Sequence, residues 1–225
     1  MKVILFGATG MVGQGVLREC LVDPGIEQVL VIGRRATGQP HAKVREVLLA
    51  DLFAVPTLGQ ALDGYDACFY CLGVSAVGMT EGAYRRVTYD LTLLIARCLV
   101  ERNPGMTFVY VSGTGTDGSE RGRSMWARVK GATENAVSAL PFRATYMFRP
   151  GYIQPMHGIR SNTAWYRAIY AVMGPLYPLL DHLFPRYITS TERVGRAMIA
   201  VARHGAPAHV LENREINELS SPRGK

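Results

Sequence analysis

Short runs of β-branched and aromatic residues alternate with longer stretches in which apolar side chains recur every three or four positions. That alternation predicts βαβ units and a parallel sheet with helices on both faces. Strands are expected at Lys2–Phe6, Gln28–Ile32, Val44–Leu48, Ala67–Cys71, Thr107–Val111 and Ala144–Phe148, and helices at Met11–Leu21, Glu81–Arg102, Gly122–Leu140 and Thr191–Arg203. The Glu81–Arg102 helix has the clearest pattern: Ala83, Val87, Leu91, Leu94, Ile95, Cys98 and Leu99 form one stripe, so it should lie against the sheet. Thr189 with Glu192 three residues later reads as a capping box that opens the last helix. After Pro150 the periodicity fades, and Tyr152, Trp165, Tyr166, Tyr170, Tyr177, Phe184 and Tyr187 come with prolines. Residues 151–190 are therefore expected to form a lid, the substrate side of a crevice or an oligomer contact, within a single domain spanning 1–225.

Composition narrows the class. Of 225 residues, 48% are hydrophobic and 19% charged, enough apolar side chain for a continuous core, so global disorder is excluded. The apolar run after Lys2 stops after four residues at a glycine-rich turn, which makes it a strand and not a signal peptide. The longest uncharged apolar stretch, Ala168 to Leu180, contains Gly174, Pro175 and Pro178 and falls short of the ~20 residues a spanning helix needs. Four cysteines without a framework spacing suggest a reducing compartment, most simply the cytoplasm. The formal charge is +7, and all the basic residues but Lys2, Lys43, Lys130 and Lys225 are arginine. These arginines are scattered rather than gathered in one tract, which argues against nucleic-acid binding and suits a pocket for an anionic ligand.

Gly7-Ala8-Thr9-Gly10-Met11-Val12-Gly13 follows the first strand directly and opens a helix. Gly7 suits the sharp turn off the strand, Gly10 lets backbone approach a pyrophosphate, and Gly13 allows close packing of helix on strand. The helix N-terminus then offers free N–H groups to phosphate. About twenty residues on, where an acidic side chain would bind the ribose 2′-OH of NAD(H), stands Gly33-Arg34-Arg35. Two guanidiniums suit a 2′-phosphate, so NADP(H) is expected over NAD(H).

With this turn, Arg34-Arg35 and Asp51-Leu52 after the third strand, the chain resembles the short-chain dehydrogenase/reductase superfamily, and among its atypical members the NmrA-like and TIP30-like proteins. The resemblance implies a doubly wound Rossmann fold, a role for Gly7, Thr9, Gly10, Met11, Gly13, Arg34, Arg35, Asp51 and Leu52 in cofactor binding, and a nicotinamide beside Cys71-Leu72-Gly73. It also implies a catalytic serine after the fifth strand, matched by Ser112. Lys130 on the following helix would bind the nicotinamide ribose, and Pro150 of Arg149-Pro150-Gly151 would border the cofactor.

One position departs from the family. Active members carry Tyr-x-x-x-Lys, whose tyrosine exchanges a proton with the substrate, and here the matching residues are Trp126-Ala127-Arg128-Val129-Lys130. Indole N–H is a donor only and cannot serve as an acid or base in this range. Two readings follow. Either another group supplies the proton, with Ser112, Tyr84, Tyr110, Tyr152 or His157 as candidates, or the protein senses NADP(H) as a regulator or scaffold without turnover. The first reading is an NADP(H)-dependent oxidoreductase acting on a small apolar carbonyl, alcohol or conjugated compound, with a homodimer as a possible assembly. Trp126 would then be a stacking wall or core.

Other suggestive residues carry less. Cys68-Phe69-Tyr70-Cys71 has redox spacing, but on a strand residues three apart point to opposite faces. His41, His157, His182, His204 and His209 show no ligand spacing, so no metal site is expected. The segment Trp165–Tyr187 lacks the basic amphipathic helix of a membrane-adsorbing surface.

Overall fold

A computed structural model describes residues 1–159, 177 and 186–221. Seven strands form one wholly parallel sheet: β1 (Lys2–Phe6), β2 (Gln28–Gly33), β3 (Val44–Leu48), β4 (Ala67–Tyr70), β5 (Thr107–Val111), β6 (Ala144–Arg149) and a strand near the C-terminus, Val210–Glu212. Their order is β3-β2-β1-β4-β5-β6 with the Val210–Glu212 strand at the edge, so the chain reverses direction across the sheet between β1 and β4. This is the doubly wound Rossmann arrangement expected from the alternating pattern.

The core lies in two layers because strand side chains alternate. Val3 and Leu5 of β1 face a layer filled by Val16, Leu17 and Cys20 of α1 (Met11–Val22) and by Val194, Met198 and Val201 of the helix Thr191–His204. Ile4 and Phe6 face the opposite layer, made by Leu52, Val55 and Leu62 of a 3-10 segment and by Ile95 and Leu99. Both faces of β1 are fully buried, as a parallel sheet requires. Cys68 lies in the second layer and Cys71 against the first, so the CxxC pair is split by the sheet as its strand position implies.

The long helix between β4 and β5 is divided. α2 (Glu81–Arg85) passes through one π turn, Arg86–Asp90, into α3 (Leu91–Arg102). The next helix, α4, spans Met125–Ser138 rather than starting at Gly122: Ser124, its N-cap, has an extended backbone, and Gly122 lies in the preceding loop with its N–H on the Asp117 carboxylate at 2.6 Å. A small two-stranded parallel ribbon, β7 (Tyr152–Gln154) with β8 (Ile188–Ser190), leads into α5 (Thr191–His204).

Two expectations about the end of the chain need correction. The cap of α5 is Ser190, whose hydroxyl accepts from Arg193 N–H at 3.1 Å; Thr189 instead donates to Asn217 at 2.7 Å. Nor is α5 the last helix: β9 (Val210–Glu212) and α6 (Asn213–Ser220) follow, with a capping box made by Glu212 and Glu215. The strand is three residues long and the helix presents only Ile216 and Leu219 as apolar anchors, too few to register as a period. Most of the aromatic stretch expected to form a lid or contact surface, including Trp165, Tyr166, Tyr170 and Phe184, lies outside the described residues.

Helix α4 approaches the loop after β5 so closely that a Cβ on Gly131 would stand 1.8 Å from the Asp117 carbonyl oxygen. Gly131→Ala is expected to lower stability by about 2–3 kcal/mol, read as a fall in the urea midpoint at unchanged slope. Gly82 in α2 has open space around its missing side chain, and Gly82→Ala is expected to raise stability by ~0.5–1 kcal/mol in the same assay.

Candidate functional site

The carboxyl ends of β1, β4, β5 and β6 open onto a cavity of about 480 Å³. Gly10 and Met11 line it from the first turn, Cys71, Leu72 and Gly73 from the end of β4, Ser112 from β5, Lys130 from α4, and Pro150 and Tyr152 from the turn after β6. A smaller notch continues past Leu72, lined by Gly7, Ala8, Thr9, Val31, Gly33, Arg34, Arg35 and Leu52. Most residues expected from the sequence thus border one groove. Two do not line it. Gly13 packs beneath the turn, where a Cβ would meet the Gly7 carbonyl oxygen at 2.1 Å. Asp51 turns its carboxylate to the Phe53 N–H at 3.0 Å and caps the 3-10 segment.

The turn itself is held by close contact. Gly7 has φ +82°, and a side chain there would meet the Cys71 carbonyl oxygen at 2.6 Å. Gly10 N–H donates back to Gly7 O at 2.9 Å. α1 begins at Met11 with no side-chain cap and no acidic residue in its first turn. Its first N–H groups and positive dipole end therefore remain for an anion. Arg34 and Arg35 are exposed and make no ion pair among the described residues. An uncapped helix start, the Arg34 and Arg35 guanidiniums, without ion pairs among the described residues, and the Lys130 ammonium border this groove, a lining that fits an anionic dinucleotide.

At the other end a buried polar hub organises the walls. Glu134, one turn after Lys130 on α4, is 3% exposed. Arg149 donates to it from Nε, to Oε1 at 3.0 Å and Oε2 at 3.2 Å, and from Nη2 to Oε2 at 2.5 Å, and the Ser112 hydroxyl donates to Oε1 at 2.5 Å. The hydroxyl of Ser112, expected to be catalytic, is thereby turned into the protein. Lys130 Nζ donates to the Ser112 carbonyl, so the lysine is anchored to the same strand end. Burial lowers its pKa from 10.5 to about 8, opposed by the nearby Glu134 carboxylate. Sequence reasoning passed over Glu134, although a carboxylate on the sheet-facing side of an amphipathic helix is itself a sign of a buried partner.

The remaining candidates are sorted by the fold. Tyr84 and Tyr110 are buried at 1% and do not line the cavity. His157, with positive φ, pairs with Glu192 at 3.0 Å instead of facing the crevice. Trp126 lies against the loop after β5, its ring edge 3.4 Å from where a Gly115 Cβ would be, and is absent from the cavity wall. Burial pushes the Cys68 and Cys71 thiols up, away from thiolate chemistry. Among the described residues no His, Cys, Asp and Glu cluster could hold a metal, and no helix is long and apolar enough to cross a membrane. Asn213, at the start of the unforeseen α6, accepts from Gly151 N–H at 2.9 Å and so fixes the turn that carries Tyr152.

A seven-stranded parallel sheet with a glycine turn and groove at its switch point defines a Rossmann-type protein of the short-chain dehydrogenase kind. More narrowly, a family model for the NAD dependent epimerase/dehydratase family matches residues 3–132, and the chain belongs to that family. It is similar to "Protein fmp52, mitochondrial" of Emericella nidulans, 31% identical over 160 residues, a match covering 68% of this chain and 66% of that protein, just under two thirds of the relative's length. "Protein FMP52, mitochondrial" of Eremothecium gossypii is 26% identical over 228 residues, covering 97% of each. Among solved structures, the Bordetella bronchiseptica enzyme WbmF in complex with NAD+ has the same fold, with a TM-score of 0.66, 18% identity and coverage of 97% of this chain and 76% of that one. The names of the fungal relatives overturn the cytoplasmic expectation. Cysteine usage separates oxidising from reducing surroundings and is blind to which reducing compartment is meant.

The depressed Lys130 pKa has a measurable sign. Below pH 8 the folded and unfolded chains both hold the proton and the burial penalty is present in full; between pH 8 and 10.5 only the unfolded chain holds it, so stability from this group rises with pH. Lys130→Met is expected to melt about 2–4 °C above the parent at pH 7, with the gap closing toward pH 10. A gap that is equal at both pH values contradicts a buried ammonium.

Proposed function

We propose that this protein binds NADP(H) across the carboxyl ends of the strands and acts as an oxidoreductase on a small, largely apolar carbonyl, alcohol or conjugated compound. The observation that carries the cofactor preference is the exposed, unpaired Arg34-Arg35 pair beside Gly7 and Thr9, in a notch whose lining contains no carboxylate. Family membership and the NAD+ complex of WbmF support a pyridine dinucleotide in general. The paired guanidiniums favour the phosphorylated form, because bidentate charge-assisted bonds reward a 2′-phosphate far more than a hydroxyl.

In this reading the first turn of α1 takes the diphosphate on its N–H groups, and Gly10 and Met11 lie beneath it. Lys130, anchored to the Ser112 carbonyl, holds the nicotinamide ribose. Cys71, Leu72, Gly73 and Pro150, which line the same cavity, would border the nicotinamide. The bound nucleotide supplies or accepts a hydride; the chain orients the substrate and handles its proton. Val12, Val74 and Ile153 make the substrate end of the wall apolar, which supports an uncharged substrate. A non-turning-over NADP(H) sensor is the alternative that Trp126 raises, and it becomes the conclusion if nucleotide binds while a broad panel of carbonyls, enones, quinones and alcohols is left unchanged.

Replacing both Arg34 and Arg35 by alanine is expected to weaken NADPH binding by about 10- to 100-fold and NADH binding by no more than about threefold, measured by titration calorimetry. Equal losses for the two nucleotides remove the argument for NADP(H).

A further inference from the structure

We propose that Tyr152 is the catalytic proton donor and acceptor of this site, taking the place of the tyrosine that Trp126 displaces. The inference rests on the oxidoreductase reading above and deepens it. Among the described residues, the groups lining the cavity that can exchange a proton are Cys71, Ser112, Lys130 and Tyr152. Ser112, Lys130 and Tyr152 all have hydrogen-bond partners, and they differ in what the partner does. The Ser112 hydroxyl gives its hydrogen to Glu134, Lys130 is tied to the Ser112 carbonyl, and the Cys71 thiol is held protonated by burial.

Tyr152 is different in placement and in chemistry. It begins β7, where its N–H donates to Tyr187 O at 3.0 Å and its register with Ile188 fixes the backbone. The preceding Gly151 is pinned by Asn213, and Thr114 N–H donates to the Pro150 carbonyl at 3.0 Å. The phenol is therefore presented by a rigid turn and not by a loose loop. Its hydroxyl donates to Gln154 Oε1 at 2.8 Å, two residues on and on the same face of the ribbon, and the residue is half-buried and lines the cavity. An amide oxygen is a neutral acceptor that orients a phenol without removing its proton.

In the reductive direction Tyr152 would give its proton to the substrate oxygen and water would return one proton to the phenolate, while a bound reduced pyridine dinucleotide would supply the hydride to the adjoining carbon. In the oxidative direction the phenolate takes the alcohol proton. Among the described residues, Lys130 from α4 and Cys71 from β4 are the other titratable side chains lining the cavity, and the Tyr177 phenol acts on Tyr152 directly. Burial first, and Tyr177 second, hold the Tyr152 phenol above its ordinary value. A cation brought into the cavity should pull it back down.

The test has two arms. In the first, Tyr152→Phe is expected to keep the parent's melting temperature and NADPH affinity while turnover on a panel of ketones, aldehydes and quinones falls by about 10²- to 10⁴-fold. In the second, the protein carries tyrosine labelled with ¹³C at Cζ, and Tyr152 is identified by the signal that Tyr152→Phe removes and Gln154→Leu moves. NADP⁺, whose nicotinamide is cationic, is expected to lower the titration midpoint of that signal by about half a unit or more, and neutral-ring NADPH to lower it less. Turnover retained within threefold in Tyr152→Phe overturns the assignment. So does a midpoint that is the same with either nucleotide and with none. A parent protein that binds neither nucleotide overturns the oxidoreductase reading itself, and calorimetry separates that outcome from the other two.

Discussion

The buried carboxylate of Glu134 is the interaction on which the working end of this molecule depends. A carboxylate this deep is unstable unless its charge is compensated and its lone pairs are filled, and here Arg149 and Ser112 do both. Those three residues come from α4, β6 and β5, so the same contact that neutralises the charge also sets the relative positions of three walls of the cavity. Lys130 lies one turn before Glu134 and Tyr152 three residues after Arg149. Removing one partner from a pair of this kind costs about 3–5 kcal/mol, because the other charge is left buried and alone.

The opposite end of the groove is shaped by close approach instead of by charge. Gly7 stands against the Cys71 carbonyl and Gly13 against the Gly7 carbonyl, with no room for a methyl group at either. That proximity draws the start of α1 over the sheet and leaves its first N–H groups uncapped, facing the groove. Arg34 and Arg35, left without ion-pair partners among the described residues, extend the positive field outward from there. The groove thus presents anion-binding groups at one end and a mostly apolar wall at the other, held apart by the width of the sheet's switch point.

Trp126 alters how the helix face is used. Here the indole packs on the Gly115 loop and only Lys130 reaches the cavity. The turn after β6, stiffened by Asn213 and Thr114, is the neighbouring wall that carries a phenol.

The six strands from Lys2 to Phe148, their parallel pairing and the glycine turn after the first of them were legible from residue order alone. Periodicity and the tight glycine spacing are local properties, and each side chain's face follows from its position in the strand or helix. The ends of elements were less so: Ser190 caps where Thr189 was expected, and β9 and α6 are too short and too polar to show a period. What the sequence could not decide is which hydroxyl or carboxylate meets which partner. Ser112 reads as a free catalytic group until Glu134 arrives from 22 residues away, and Tyr152 is one tyrosine among 11 until β6 and α6 bring it to the mouth of the cavity. Such pairings are set by contacts between residues distant along the chain, and only the packed sheet with its helices brings them within hydrogen-bond reach.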